Sequence, residues 1–398
     1  MTRKKILFVH HSGVFGGSSR SLGELVYAMP KDEICPIIIS QNGTANNYFA
    51  KKGFIVFPVY GLAKFDITEL GHYRGIRWLI LLRELIYIWP TFSDLRAVKK
   101  AYPDIDLAHI NDIQNFISAL LIKNIFQIPI VIHIRGPLMK RRGWRYKFLM
   151  WFLRKYVDQV IAIDENVKRT VSETIITTVV HNGFIIPTNS SHIIKPTELT
   201  IGMVSNMFRF KGVLDFVEAA RICKKNKLPV KFVILGGKNE TKDYLIDKVL
   251  EFLGLKHNVE KEVHDRIASY ELQNTFDILP FTENIHTFYN EISALCFPSH
   301  INAVGRPVFE AGFYHVPSIV AISDPLPDAI VHMGTGICIQ EKNPESLYSA
   351  IHHFYNNPLD ILRMGENAFK LAKKNYDVYS NAKKIFDIYV NLMKPKVT

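Results

Sequence analysis

The sequence predicts an α/β protein of two doubly wound domains, each a parallel sheet covered on both faces by helices. Three observations carry this. Short apolar runs rich in β-branched residues alternate with amphipathic segments from one end of the chain to the other. The alternation is interrupted once, by a polar stretch with two prolines. And 398 residues is roughly the length of two ordinary domains.

The first strands are expected at Lys5–His10, Ile34–Ser40, Ile55–Tyr60, Leu107–Asn111, Pro129–Arg135 and Gln159–Asp164. Each is a continuous apolar run, as a strand buried on both faces requires. The interrupting stretch, "HNGFIIPTNSSHIIKPTELT", carries Pro187, Pro196 and an Asn-Ser-Ser cluster, so a linker is placed near residues 184–198. A second set follows at Thr200–Val204, Lys231–Gly236, Ala294–Ser299, Ser318–Ile322 and Gly336–Gln340. The tail reads as an amphipathic helix with Ile385, Ile388, Tyr389 and Leu392 on one face. The expected domains are 1–190 and 191–376, with the helix of 377–398 packing back on the first. In such domains ligands bind at the carboxyl ends of the strands, here in a cleft that the two domains face.

Hydrophobic residues make up 48% and charged residues 22%, which excludes disorder. Cys35, Cys223, Cys296 and Cys338 form no CxxC pair, so neither a disulfide framework nor a zinc site is indicated, and a reducing, cytoplasmic setting fits. The run Ile6–Val9 is too short for a signal-peptide core. The longest apolar stretch, Trp78–Trp89, holds Arg83 and Glu84 and falls short of the roughly 20 residues of a membrane span. The net charge of +12 favours anionic partners: phosphates, nucleic acid or an acidic membrane face.

Four motifs carry chemistry. After the first strand comes "HHSGVFGGSSRSLGEL": Gly16 and Gly17 allow close backbone approach, Ser18 can cap the next helix, and open amides there attract phosphate. The spacing is not GxGxxG, and an ordinary βα turn is the plain alternative. After Thr200–Val204 comes "SNMFRFKG", where Arg209 and Lys211 beside a helix start near Gly212 make a diphosphate clamp or, alternatively, two solvated charges. After Ala294–Ser299 comes "HINAVGRPVFEAG": Gly305 and Pro307 fix a turn, Arg306 adds a cation, and Glu310 in the first turn of the following helix either complements the helix dipole or accepts from a ribose diol. Finally, "KRRGWRYKFLMWFLRKYV" sets Trp144, Phe148, Trp151 and Phe152 on one helical face, flanked by Arg141, Arg145, Arg154 and Lys155. With Trp78–Trp89 it forms a docking patch for an anionic membrane through residues 78–89 and 140–157; a buried aromatic face with solvated cations is the plain alternative. His109 ends a strand and so could face a ligand. Asp104 and Asp106 precede that strand, which argues against a metal site there.

Together these segments resemble glycosyltransferase family 4, retaining enzymes of the GT-B fold, over nearly the whole chain. "FGGSSRSLGEL" is similar to the family's Gly-Gly loop, and "DQVIAIDENVKRTV" with "TTVVHNGF" resembles the end of its N-terminal domain, Asn182-Gly183 standing at the turn. "GMVSNMFRFKGVLDFVEAA" resembles the diphosphate-holding segment, with Lys211 on the family's lysine and Asn206 where arginine is common. "PSHINAVGRPVFEAG" resembles the E-x7-E motif, with Glu310 as the second glutamate and Asn302 in place of the first. "PLPDAIVHMGTGICIQ" resembles a further family segment, with Asp328 for the usual glutamate. Asn111 stands where a second histidine often follows His109.

The resemblance implies two Rossmann-like domains, the first binding acceptor and the second a nucleotide sugar. It implies retaining transfer from a nucleotide-diphosphate donor, UDP-sugar favoured, to a saccharide or lipid-linked acceptor in bacterial surface polysaccharide or lipopolysaccharide assembly. No metal or other cofactor is implied, and no nucleic acid partner. His109, Asn302, Glu310 and Lys211 would be catalytic; Gly16, Gly17, Asn206, Arg209, Lys211, Gly305, Arg306 and Glu310 would hold the donor. The expected location is cytoplasmic, peripheral to the inner membrane face where the basic aromatic patch docks. The alternative is a catalytically impaired nucleotide-sugar-binding protein of the same fold, with Asn302 as the lesion.

Overall fold

The apolar runs form two parallel sheets in a computed structural model that describes residues 3–65, 67, 78–139, 143–185, 198–236, 258–280, 282 and 284–394. In the first, strands β1 (Lys4–His10), β2 (Ile34–Gln41), β3 (Ile55–Val59), β4 (Leu107–Ile110), β5 (Ile130–Ile134), β6 (Gln159–Ala162) and β7 (Thr177–Val179) take the order β3-β2-β1-β4-β5-β6-β7. In the second, β8 (Thr200–Val204), β9 (Lys231–Leu235), β10 (Phe276–Leu279), β11 (Ala294–Phe297), β12 (Ser318–Ala321) and β13 (Gly336–Ile339) take the order β10-β9-β8-β11-β12-β13. The doubly wound α/β expectation therefore holds. The short edge strands β7 and β10 were not expected; an edge strand needs apolar residues on only part of its length, so its pattern is weak. The linker expectation falls mostly on 186–197, outside the described residues.

The chain divides into two units, Met1–Ile185 with Asn375–Thr398, and Ile186–Lys374. In the first, successive strand residues alternate between faces. Leu7, Val9, Ile37, Ile39, Ala108 and Ile110 pack beneath α4 (Ile88–Ala101), α5 (Phe116–Phe126) and α6 (Trp144–Tyr156). On the other face Ile6, Phe8, Ile38 and Leu107 pack with α1 (Gly17–Ala28), α2 (Thr44–Lys51) and the terminal helix. Helices α3 (Trp78–Ile86) and α7 (Glu165–Thr170) complete the described helices of this unit.

The second unit buries Ile201, Met203, Phe232, Ile234 and Ile319 beneath α8 (Val213–Lys225), α9 (Val259–Ser269) and, further along, α12 (Pro344–Asn356). Helices α10 (His286–Glu291) and α11 (Arg306–Phe313) bracket β11 in sequence. After α13 (Pro358–Tyr376), Asp377 accepts from Ser380 N at 2.9 Å and caps α14 (Val378–Met393). There Ala382, Ile385 and Tyr389 are buried against the first sheet. The Asn182-Gly183 turn has a reason to contain glycine: a Cβ at Gly183 would lie 2.4 Å from Val378 Cα. Strand order reverses between β1 and β4 in one sheet and between β8 and β11 in the other. These are the switch points where doubly wound folds open a crevice. Among the described residues, no helix is long and apolar enough to cross a membrane.

Candidate functional site

The β8 and β11 ends, at the second sheet's switch point, are bound to each other tightly. After β8 comes a 3-10 turn, Arg209–Lys211, and then Gly212 with φ 75° at the start of α8. A Cβ there would stand 1.9 Å from Pro298 O, so both the left-handed backbone and the close approach demand glycine. The loop after β11 grips the same turn. His300 N donates to Phe210 O at 2.8 Å, Ser299 Oγ donates to it at 3.3 Å, and His300 Nε2 lies 2.7 Å from Asp215 Oδ2 in α8.

This fixes Lys211. Its ammonium lies 5.4 Å and 5.7 Å from the ring centroids of Phe210 and Phe297. Among the described residues it makes no ion pair or side-chain hydrogen bond, and burial pushes its pKa down. Such a cation is costly until an anion meets it. Arg209 is placed otherwise: its guanidinium pairs with Glu262, which also accepts from Arg266 at 2.9 Å. Asn206 is exposed just beyond β8.

Gly305 precedes α11, and a Cβ on it would meet the Phe297 ring at 2.3 Å. Helix α11 starts at Arg306, so Glu310 stands in its second turn rather than the first. Complementing the helix dipole is thus not its role, since that effect is confined to the first turn. Glu310 is buried; Oε1 accepts from Arg306 Nε at 2.8 Å and Oε2 from Tyr289 OH at 3.0 Å. Arg306 is therefore engaged with Glu310 instead of standing out as a separate cation. Tyr289, on α10, stacks on Tyr314 at 5.2 Å, and the Tyr314 hydroxyl bonds His286 Nδ1. A carboxylate has about four lone-pair sites and can accept from more than two donors. Asn302 is exposed and its Oδ1 accepts from Ser323 N at 3.0 Å, tying the loops after β11 and β12. Nothing in sequence patterning singled out Tyr289, His300 or Asp215, because each acts through a partner distant in the chain.

In the first unit, Gly16 and Gly17 begin α1 with open space where Cβ atoms would stand. Ser18 lies inside α1, so the cap position falls to Gly16, which makes no side-chain cap bond. His109 does not end its strand. It is the third residue of β4, fully buried on the face toward α14, where Nδ1 meets Tyr389 OH at 2.7 Å. Burial holds its pKa down at about 3. The switch-point residue is instead Asn111, whose Nδ2 donates to His10 Nδ1 at 2.9 Å. His10 must then carry its proton on Nε2, 2.9 Å from Ser19 Oγ. Asn111 Oδ1 accepts from Arg135 Nε at 3.1 Å, and Arg135 also donates to Asn182 Oδ1. One polar chain thus runs from α1 across the ends of β1, β4 and β5. Asp104 and Asp106 are tied to Lys5 and Lys4, at 2.7 Å and 3.0 Å. Among the described residues, no group of three His, Cys, Asp or Glu side chains is placed to hold a metal ion.

On α6, Trp144, Phe148 and Trp151 are 75%, 45% and 46% exposed, but Phe152 is buried, 5.4 Å from Phe116. Phe152 thus leaves the expected aromatic face. On α3 and α4, Leu79, Leu82, Ile86 and Trp89 are exposed. Arg141 and the start of the basic run, residues 140–142, lie outside the described residues.

Comparison with known proteins agrees with this architecture. A profile for "Glycosyltransferase Family 4" matches residues 15–185, and one for "Glycosyl transferases group 1" matches residues 184–371. The capsular polysaccharide biosynthesis glycosyltransferase CapM of Staphylococcus aureus is 23% identical over 278 residues, 63% of this chain and 68% of that protein. An uncharacterised glycosyltransferase of Haemophilus influenzae is 19% identical over 226 residues; the match spans 56% of this chain and only 58% of that protein. Among solved structures, Anabaena HepE in complex with UDP and glucose superposes with a TM-score of 0.73 at 16% identity, covering 98% of this chain and 100% of HepE. A glycosyltransferase from Rickettsia africae gives 0.75 at 18%, covering all of both chains. At such identities the likeness establishes the fold.

Proposed function

Because the chain belongs to glycosyltransferase family 4, its two profiles running between them from residue 15 to 371, we propose that it transfers a sugar, with retention, from a UDP-sugar to a saccharide or lipid-linked acceptor in bacterial surface polysaccharide or lipopolysaccharide assembly. The observation that carries this reading is Lys211, a desolvated cation with no counter-ion among the described residues, clamped at the switch point of the second sheet. It meets the donor's diphosphate and stabilises the charge that grows there as the sugar leaves. Arg209 adds longer-range positive charge, and Asn206 lies along the same loop. Glu310, held by Tyr289 and Arg306, accepts from the ribose hydroxyls. Asn302 and the backbone near Gly305 hold the sugar. UDP as the carrier is supported by HepE, which was solved with UDP, and the pathway by the naming of CapM. The exposed apolar residues of α3 and α6 bring the enzyme to an anionic membrane carrying the acceptor.

The test is a thermal-shift panel with UDP, GDP, ADP and TDP on the parent, Lys211→Gln and Glu310→Ala. A nucleotide at 100 times its dissociation constant adds about 2.7 kcal/mol of stability. UDP should stabilise the parent most, and both variants should lose most of that gain. No stabilisation by any nucleotide would sink the reading.

A further inference from the structure

The first unit holds a second concentration of positive charge that the donor does not account for. The loop after β3 is pinned to the turn after β4: Asn115 Nδ2 donates to Ala63 O at 3.2 Å and Phe65 N to Gln114 O at 3.0 Å. Lys64 N donates to Glu84 Oε2 at 2.7 Å. The loop therefore presents Lys64 at the carboxyl end of the sheet, beside the switch point. Glu84 is buried and bound by Arg83 through Nε at 3.1 Å and Nη2 at 2.5 Å. Glu84 still attracts the Lys64 ammonium and Arg83 repels it, but the ammonium makes no ion pair or hydrogen bond with any described residue. Asp112, a further carboxylate at this end among the described residues, is buried and accepts from Gln114 N at 3.5 Å. Arg135 fixes a second positive charge through Asn111 and Asn182. His11, the residue that follows β1, has Nδ1 buried and unpartnered among the described residues. Burial, with Lys64 and Arg135 nearby, holds its pKa at about 4, so it is a neutral donor or acceptor.

Two cations and a neutral imidazole at one end of the sheet suit a dianionic oxyanion better than a monoanion. We propose that the acceptor bears a phosphate group, and that Lys64, Arg135 and His11 form its seat at the carboxyl end of the first sheet. This rests on the glycosyltransferase reading, in which Lys211 in the other unit takes the donor's diphosphate and the remaining substrate is the acceptor. A sugar phosphate and a lipid-linked sugar phosphate share this chemistry.

The probe is inorganic phosphate, titrated calorimetrically into the full chain with UDP held saturating, so that the nucleotide site is filled. Phosphate should still bind. Its affinity should fall about tenfold in Lys64→Gln, as loss of one charge-assisted contact predicts, recover in Lys64→Arg, and stay unchanged in Lys211→Gln. Thermal unfolding without ligand checks that each variant folds as the parent does. Phosphate binding that UDP abolishes, or that Lys64→Gln leaves intact, overturns the proposal and leaves the donor site untouched. If UDP itself fails to bind, the donor reading falls, and the two lysine variants still decide where phosphate sits. Sugar 1-phosphate against the same sugar on vesicles of polyprenyl phosphate then separates the two sources: the free form competes with phosphate if the seat is open to solutes, and only the vesicle form does so if a lipid is needed.

Discussion

At the scale of the residue, the second unit's site depends on glycine and tyrosine as much as on charge. Gly212 has no tolerated replacement, because a methyl group would enter the Pro298 carbonyl and the backbone is already left-handed. Gly212→Ala should cost at least about 2 kcal/mol in urea unfolding. By loosening the Lys211 turn it should also weaken UDP binding; unchanged stability would mean that the clamp is not tight. Tyr289→Phe keeps the ring stacked on Tyr314 but removes a donor to Glu310. A buried hydrogen bond to a charged group is worth roughly 1.5–3 kcal/mol. The variant should bind UDP at least about fivefold more weakly by calorimetry, with the ranking of the four nucleotides retained. Lys211 and Glu310 were legible because they fall at motif positions. Tyr289 and His300 were not, since no spacing rule connects residues brought together from separate elements.

At the scale of the element, helix α6 shows how periodicity identifies an amphipathic segment yet misassigns one of its members. Trp144, Phe148 and Trp151 recur at i, i+4 and i+7 and stay exposed, while Phe152, one position on, turns under to meet Phe116. An exposed aromatic row with Arg154 and Lys155 in the last turn suits the headgroup region of a bilayer. The double variant Trp144→Ser, Trp151→Ser should fold normally, because both rings are largely outside the core. It should sediment with phosphatidylglycerol vesicles about fivefold less than the parent. Equal sedimentation would assign the row to some other partner.

At the scale of the whole molecule, the two units differ in how they carry buried histidine. His10, His11, His109 and His133 all lie in the first unit, and burial holds each below its ordinary pKa, His11 to about 4 and His109 to about 3. The unfolded chain takes up protons near pH 6.5 where the folded unit refuses them. Stability is therefore fully present above about pH 6.5 and is lost as pH falls toward the folded values, by up to about 1.4 kcal/mol per pH unit for each histidine. Calorimetry at pH 7.5 and pH 5 should show the transition of the first unit moving down more than that of the second. A parallel shift of both would show that these four histidines do not dominate.

Much of this was settled by sequence. Continuous apolar runs can be buried on both faces only in a helix-covered parallel sheet, and Gly-Lys-Glu motifs after strands mark the loops where such sheets bind ligands. Local pattern sufficed there because strand burial and turn geometry are properties of a few consecutive residues. What tertiary structure alone decided was which side chains are already satisfied. Arg209 reads as a spare cation until Glu262 is seen against it, His109 reads as a strand end until Tyr389 covers it, and Lys64 reads as nothing at all until the β3 loop is pinned to the turn after β4. Pairing depends on contacts across tens to hundreds of residues, and a side chain's chemistry is set by its partner and its burial, neither of which its neighbours in sequence contain.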